Sequence, residues 1–125
     1  EFADNLKTIV QLVRGFHGTP ILITPRDHRI FDDKGKVYPF FGDRSAVVRD
    51  VAAQTQTYLI DLYQMTIDLY NQLGKSESDY ISFSATDYLH YTQKGAEVIA
   101  GLVVNALPDN LGTYLVEILN QPTKP

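Results

Sequence analysis

The chain has 125 residues, which is enough for one domain with a hydrophobic core. Hydrophobic residues make up 44% of it and charged residues 21%, which is typical of a folded protein and excludes a disordered one. A net charge of −4 with scattered basic residues gives no support to a nucleic-acid partner, and the lack of cysteine excludes disulfide bonds, thiolate metal sites and a cysteine nucleophile.

The first part of the chain predicts alternating helices and strands. Apolar residues at helical spacing predict an amphipathic helix over Glu1–Arg14, and further helices are predicted at Ser45–Thr55 and Leu62–Leu73. Two short apolar runs, Pro20–Pro25 and Tyr58–Asp61, predict strands buried on both faces, as in a parallel sheet covered by helices. The inward face of the first helix is predicted to consist of Phe2, Leu6, Ile9, Val13 and Phe16.

The remainder predicts a polar loop over Lys75–Thr86 and then a helix over Gln93–Leu107, with Thr92 as its N-cap. A further apolar stripe runs from Leu111 to Leu119 at helical spacing. Alternating strands and helices indicate an α/β domain of three layers with a parallel sheet. Two strands are too few for a stable sheet, so the chain is expected to be half of a larger domain or to meet a partner that completes the sheet. No apolar run is long enough to cross a bilayer, so no membrane partner is expected.

Asp87 and His90 lie three residues apart, just before the predicted last helix. A carboxylate in this position can accept the imidazole N–H and direct the other ring nitrogen outward, as the acid of a serine hydrolase orients its general base. The positive end of the following helix disfavours imidazolium and keeps the base neutral. The alternative is an acid-to-imidazole contact that only closes a loop.

The block from Asp87 to Thr92, followed by Gly95 and Ala96 at the start of a helix, resembles the last motif of the SGNH (GDSL-type) hydrolases. The supporting segments are Phe2 to Leu6, Pro20 to Pro25, Arg29 and Ile60 to Leu62, which resemble the second half of the rhamnogalacturonan acetylesterase-like branch. The resemblance implies a three-layer, flavodoxin-like α/β sandwich of which this chain is the C-terminal half. It covers residues 1–107, and residues 108–125 are expected to form a C-terminal extension with a short amphipathic helix.

By this resemblance, His90 is the general base and Asp87 its orienting acid in a secreted serine esterase that removes O-acetyl groups from plant cell-wall polysaccharide without a cofactor. The family's nucleophile is the serine of a Gly-Asp-Ser block, and its oxyanion hole adds a glycine and an asparagine. All three are expected upstream of this chain. The segment from Gly42 to Ser45 looks similar but carries an extra arginine and opens the wrong helix, so it is interpreted as an ordinary N-cap.

His28, Arg29 and Tyr88 are the candidate substrate-binding residues. His28 and Arg29 follow a predicted strand at the end where α/β folds place their sites, and Tyr88 adjoins His90. The alternatives are a polar loop with salt bridges for the first two and an aromatic ring packed under its own loop for Tyr88. The three histidines lack the spacing of metal ligands, so no metal site is predicted.

A different class of function stays open because the nucleophile is missing from the sequence. The chain would then be a non-catalytic, truncated module that binds carbohydrate or a protein partner. In that case the stripe from Leu111 to Leu119 would cover the edge of the sheet or contact a second copy of the chain. A third possibility is a split enzyme whose other piece, carrying the serine, is a separate polypeptide.

Overall fold

The computed structural model describes residues 1–109 and residue 111. Most of the predicted stripe from Leu111 to Leu119 lies outside the described residues. Within the described part, no helix combines the length and the apolar character needed to cross a membrane. The elements are α1 Phe2–Gly15, β1 Ile21–Ile23, α2 Gly42–Thr55, β2 Tyr58–Ile60, α3 Leu62–Glu77, a 3₁₀ turn Asp79–Ile81, β3 Ser82–Ser84, β4 Asp87–Tyr91 and α4 Gln93–Asn105.

The two predicted strands form a parallel pair, and this confirms the α/β class. Ile21 is in register with Tyr58 and Ile23 with Ile60, with α2 as the crossover between the strands. The backbone N–H of Thr24 donates to the carbonyl of Ile60 at 3.0 Å, one residue beyond β1. Because both strands end at this edge, the loop after β1 starts beside the N-terminus of α3.

The side of α1 that packs on α2 and β1 overlaps only partly with the predicted face. Leu6 and Val13 of that face are partly buried, whereas Phe2, Ile9 and Phe16 are exposed. The fully buried residue is Val10, which lies next to the predicted face. The buried cluster on this side consists of Val10, Leu22, Val48, Val51 and Ala52.

The prediction that both strands are buried on both faces is also wrong for the described residues. Ile23 and Tyr58 are each 45% exposed, and Leu59 is exposed as well. Side chains project from the faces of the pair, and the described elements leave these three only partly covered, while the edges of the pair have no further strand among the described residues. Ile23 borders an apolar cleft of about 610 Å³ whose lining residues are Phe2, Leu6, Leu22, Ile23, Pro25, Arg44 and Val48.

A second hydrophobic cluster supports the C-terminal hairpin. Val37, Tyr70 and Ile81 are buried together, and Tyr91 of β4 packs against them. The regular part of helix α3 ends at Leu73, as predicted, because Gly74 takes a non-helical conformation with a φ of 77°, and a further helical turn follows up to Glu77. The cluster fixes β4 against α3, and β4 is the strand that carries Asp87 and His90.

Helix α4 begins where the sequence predicted. The hydroxyl of Thr92 accepts the backbone N–H of Gly95 at 2.9 Å and donates to the carbonyl of Tyr80 at 2.6 Å, which confirms the N-cap. Gly95 lies directly against Ile81, since a Cβ at this position would be 2.2 Å from the Ile81 carbonyl oxygen. The first turn of α4 therefore requires glycine to pack this closely on the 3₁₀ turn.

Replacing Gly95 with alanine is expected to lower the free energy of unfolding by about 3 kcal/mol, because the added methyl meets backbone that cannot rotate away. Gly101 lies in the same helix, and a methyl group added there would have no described atom within 4 Å, so Gly101→Ala is the matched control. We expect Gly101→Ala to be neutral or stabilising, by less than about 1 kcal/mol. Equal denaturant midpoints for the two variants would contradict the close contact.

Candidate active site

The hairpin β3–β4 carries Asp87 and His90 in an extended strand that ends just before α4. Ser82 is in register with Tyr91 and Ser84 with Asp87, and the register shifts between these two pairs. Between them, β3 has the single residue Phe83, while β4 has the three residues Tyr88 to His90. His90 lies within this bulge, and its side chain is 70% exposed.

The carboxylate of Asp87 holds the imidazole of His90 directly. Nδ1 of His90 lies 2.9 Å from Oδ2 of Asp87, and the other oxygen, Oδ1, accepts the backbone N–H groups of Leu89 and His90, each at 2.9 Å. The backbone N–H of Asp87 in turn donates to the hydroxyl of Ser84 at 3.1 Å. The acid is thus fixed by the same bulge that carries the base, and Nε2 is the imidazole nitrogen left to act on another group.

These contacts lower the pKa of Asp87 to about 2, from an ordinary value of 3.8. The backbone N–H of His90 is the largest cause, followed by its imidazole and then by the backbone N–H of Leu89. Asp87 is therefore ionised at neutral pH and accepts the Nδ1–H of His90. An ionised acid in this position stabilises the positive charge that the imidazole gains when Nε2 takes a proton.

His28 lies in the loop after β1 and packs against two aromatic rings. Its ring stacks on Phe40 with centroids 4.7 Å apart and meets Phe41 edge-on at 4.9 Å. Partial burial, and then the charge of Arg26, lower the pKa of His28. This loop is folded by the buried carboxylate of Asp27, which accepts the backbone N–H groups of Phe40 and Phe41. Asp27 was not among the residues predicted from the sequence, although its position in the loop that follows a predicted strand was a usable signal.

The structure places Arg29 in the interior, with only 5% of its side chain exposed. Its guanidinium donates to the Ser82 hydroxyl at 2.8 Å, to the Lys75 carbonyl at 3.0 Å and to the Asp79 carboxylate at 2.8 Å. Arg29 thus anchors the start of the β3–β4 hairpin to the loop after β1, and these contacts occupy its donors. For Arg29, the structure therefore agrees with the alternative of a loop held by salt bridges. The guanidinium is too buried for a substrate to reach it.

The third candidate, Tyr88, lies within the bulge and is exposed. Tyr38 and Phe40, in the loop that precedes α2, are also exposed, so these rings are not packed beneath their loops. Among residues 1–109 and 111, no three histidine, aspartate or glutamate side chains are grouped so that they could hold a metal ion.

The segment from Gly42 to Ser45 does not supply a nucleophile in the described structure. Ser45 is fully buried in the first turns of α2, and its hydroxyl has no hydrogen-bond partner among the described residues. The interpretation as an N-cap is wrong in detail, since α2 begins at Gly42 with Phe41 as its N-cap and no side chain caps the helix. The hydroxyl of Ser84 contacts the backbone N–H of Asp87 rather than the imidazole of His90.

Comparison with known proteins gives a consistent set of relatives. No family model matches the chain. The probable rhamnogalacturonan acetylesterase YesY of Bacillus subtilis is 33% identical over 120 residues, which cover 93% of this chain and 54% of YesY. The rhamnogalacturonan acetylesterase RhgT of the same organism is 26% identical over 130 aligned positions, covering 94% of this chain and 53% of RhgT. The chain thus spans about half the length of the curated relatives that it matches.

A solved structure agrees with these relatives. The crystal structure of the protein YxiM from Bacillus subtilis matches with a TM-score of 0.76 and 25% identity, over 86% of this chain and 30% of the YxiM chain. The alignment therefore includes most of the described helices and strands. In sequence and in fold, this chain resembles the SGNH hydrolases, and in particular the C-terminal half of their rhamnogalacturonan acetylesterase-like branch.

Proposed function

We propose that this chain supplies the general base and its orienting acid to a serine esterase that removes O-acetyl groups from carbohydrate. The observation that carries the proposal is the 2.9 Å contact between Asp87 and the Nδ1 of an exposed His90. A contact that only closed a loop would not need the bulge that presents the imidazole. The names of YesY and RhgT support an acetyl ester of rhamnogalacturonan as the substrate.

In the proposed reaction, a serine hydroxyl attacks the acetyl carbonyl carbon while Nε2 of His90 takes its proton. The tetrahedral intermediate collapses, the bond between the carbonyl carbon and the sugar oxygen breaks, and His90 returns the proton to that oxygen. Water then attacks the acetyl carbonyl carbon while His90 takes its proton, the bond to the serine oxygen breaks, His90 returns the proton to that oxygen, and acetate leaves. Asp87 stays ionised throughout and stabilises the imidazolium.

The nucleophilic serine is proposed to come from the half of the fold that this chain does not span. The apolar cleft beside β1 is the surface where that half would dock. It is lined from α1, β1 and α2, and its exposed residues include Phe2 and Ile23. Burying such a surface against another strand would complete the sheet and remove apolar area from water. A second copy of the chain is the other proposed occupant of this surface.

The proposed substrate is extracellular polysaccharide, so the protein is proposed to act outside the cell. The exposed rings of Tyr38, Phe40 and Tyr88 are suited to stack on sugar rings. His28 supports the ring of Phe40 from one side. No cofactor takes part in the proposed reaction.

Acetate release from acetylated rhamnogalacturonan tests this function. We expect release by the protein together with the half that carries the serine, and none by the 125-residue chain alone. A serine-reactive phosphonate should label the other half and abolish the activity. The opposite result is hydrolysis of the substrate by the isolated chain, in a reaction that the phosphonate abolishes. That result would show that the serine lies within these 125 residues and would contradict its placement in the other half.

A non-catalytic module that binds carbohydrate or a protein partner is the second candidate, because no serine hydroxyl contacts His90 among the described residues. The exposed aromatic rings that suit an esterase also suit a binding module. The acetate-release assay separates the two functions when it is combined with a binding measurement. A binding module, immobilised on a column, would retain acetylated rhamnogalacturonan. It would release no acetate, either alone or together with its partner.

A further inference from the structure

Arg26 joins the loop after β1 to the bulge that carries His90. Its guanidinium donates to the carbonyl of Tyr88 at 3.0 Å and, from its other terminal nitrogen, to the carbonyl of Leu89. It also lies over the ring of Tyr91, 4.9 Å from the ring centroid. These contacts connect residues more than sixty positions apart in the chain.

The two carbonyls that Arg26 binds belong to the bulge itself. Between the paired positions of the hairpin, β4 has two residues more than β3, so the backbone of Tyr88 and Leu89 lacks a regular partner strand. An unpaired backbone group favours other conformations of the segment, in which water replaces the missing partner. The guanidinium gives both carbonyls a charged donor, and such hydrogen bonds are stronger than neutral ones.

The chemistry of the contact is specific to arginine. The planar guanidinium reaches two neighbouring carbonyls at once and places a flat face on Tyr91. A lysine ammonium is a single point charge and cannot reproduce this fork. Because Asp87 Oδ1 accepts the backbone N–H groups of Leu89 and His90, a bulge that moves also changes how the carboxylate meets the imidazole.

We propose that Arg26 is a positioning residue that holds the Tyr88–His90 bulge in place and thereby aligns His90 with Asp87. Its consequence for catalysis rests on the proposed function, whereas its effect on the geometry of the bulge does not. Arg26 need not touch the substrate for this role. It acts through the backbone of the segment that carries the base.

The first test uses NMR to measure amide exchange and the tautomer of His90. The sample is the protein as it is isolated, including any other polypeptide that copurifies with the chain. In Arg26→Gln, we expect the backbone amide of His90 to exchange with solvent about tenfold faster, because the bulge opens more often. The ¹⁵N signals of the His90 ring, assigned by their loss in His90→Ala, should shift from the Nδ1–H tautomer towards a mixture of tautomers. Arg26→Lys should fall between Arg26→Gln and the native protein, and it serves as the second variant where Arg26→Gln does not fold.

The matched control is Arg14→Gln. Arg14 also donates to a distant backbone carbonyl, that of Gln56 at 3.2 Å, but it ties α1 to the loop before β2, away from the hairpin. We expect native exchange and a native tautomer for His90 in this variant. The proposal would be overturned if His90 had the same amide exchange rate and the same ring tautomer in both Arg26 variants as in Arg14→Gln.

The second test separates this proposal from the proposed function. Arg26→Gln should lower kcat for acetate release by about tenfold with KM changed by less than about twofold, because a misaligned base slows the chemical step more than binding. Native kinetics in Arg26→Gln, with activity abolished in His90→Ala, would overturn the positioning role and leave the esterase assignment intact. A changed bulge by NMR, in a protein whose hydrolysis of acetyl esters is undiminished in His90→Ala, would overturn the proposed role of His90 as general base and leave the role of Arg26 in the bulge intact.

Discussion

Replacing His90 with alanine is expected to lower kcat for acetate release by about 10⁴-fold or more, with a small change in KM. The physical reason is the loss of the group that takes the serine proton and returns it to the leaving sugar oxygen. Asp87 is a poor substitute as a base, since it is turned towards Nδ1 of His90 and its pKa of about 2 makes it a weak proton acceptor. Steady-state kinetics on an acetylated oligosaccharide measure the change.

The control for this variant is another exposed histidine. His17 has a left-handed φ of 58°, a conformation that asparagine tolerates, so His17→Asn removes an imidazole without straining the backbone. We expect its kcat to stay within about twofold of the native value, which is usual for a surface change away from the site. An undiminished rate in His90→Ala would end the assignment of His90 as general base.

Replacing Asp87 with asparagine is expected to lower kcat by about 10⁴-fold without unfolding the hairpin. The amide can still accept the N–H groups of Leu89 and His90, but it cannot stabilise the imidazolium and can favour the wrong tautomer. Asp68, which lies exposed on α3 and contacts Gln64, gives the matched control Asp68→Asn. We expect no change in kcat for that variant.

The pH dependence gives an independent measure of the same carboxylate. Because the pKa of Asp87 is depressed from 3.8 to about 2, its contribution to the folded hairpin is complete above about pH 4 and is lost only as the pH falls through about 2. The carboxyl ¹³C signal of Asp87, followed from pH 6 down to pH 2, should therefore titrate below those of exposed aspartates. Titration near 4 would show that the contacts with Leu89 and His90 do not persist in solution.

Local patterns were sufficient to predict several features of this chain. The α/β class, the four helices, the parallel strands β1 and β2, and the N-cap at Thr92 follow from spacing and capping chemistry, and the structure confirms them. The hairpin β3–β4 was missed, because a polar loop was predicted over β3 and the turn that follows it. The three-residue separation made a contact between Asp87 and His90 possible, and the structure places the two side chains 2.9 Å apart. The resemblance to SGNH hydrolases rested on this same segment and agrees with YesY and RhgT.

Only the tertiary structure decided which of several similar side chains are buried and which distant groups they contact. In helix α1, packing on α2 buries Val10 and leaves its neighbour Ile9 exposed, and periodicity alone cannot decide between two adjacent apolar residues. Arg26 and Arg29 stand three residues apart in one loop, yet the first is the clamp proposed for the bulge and the second is buried as an anchor. Their roles depend on carbonyls and hydroxyls more than forty positions away, and such distant partners leave no mark in the local sequence.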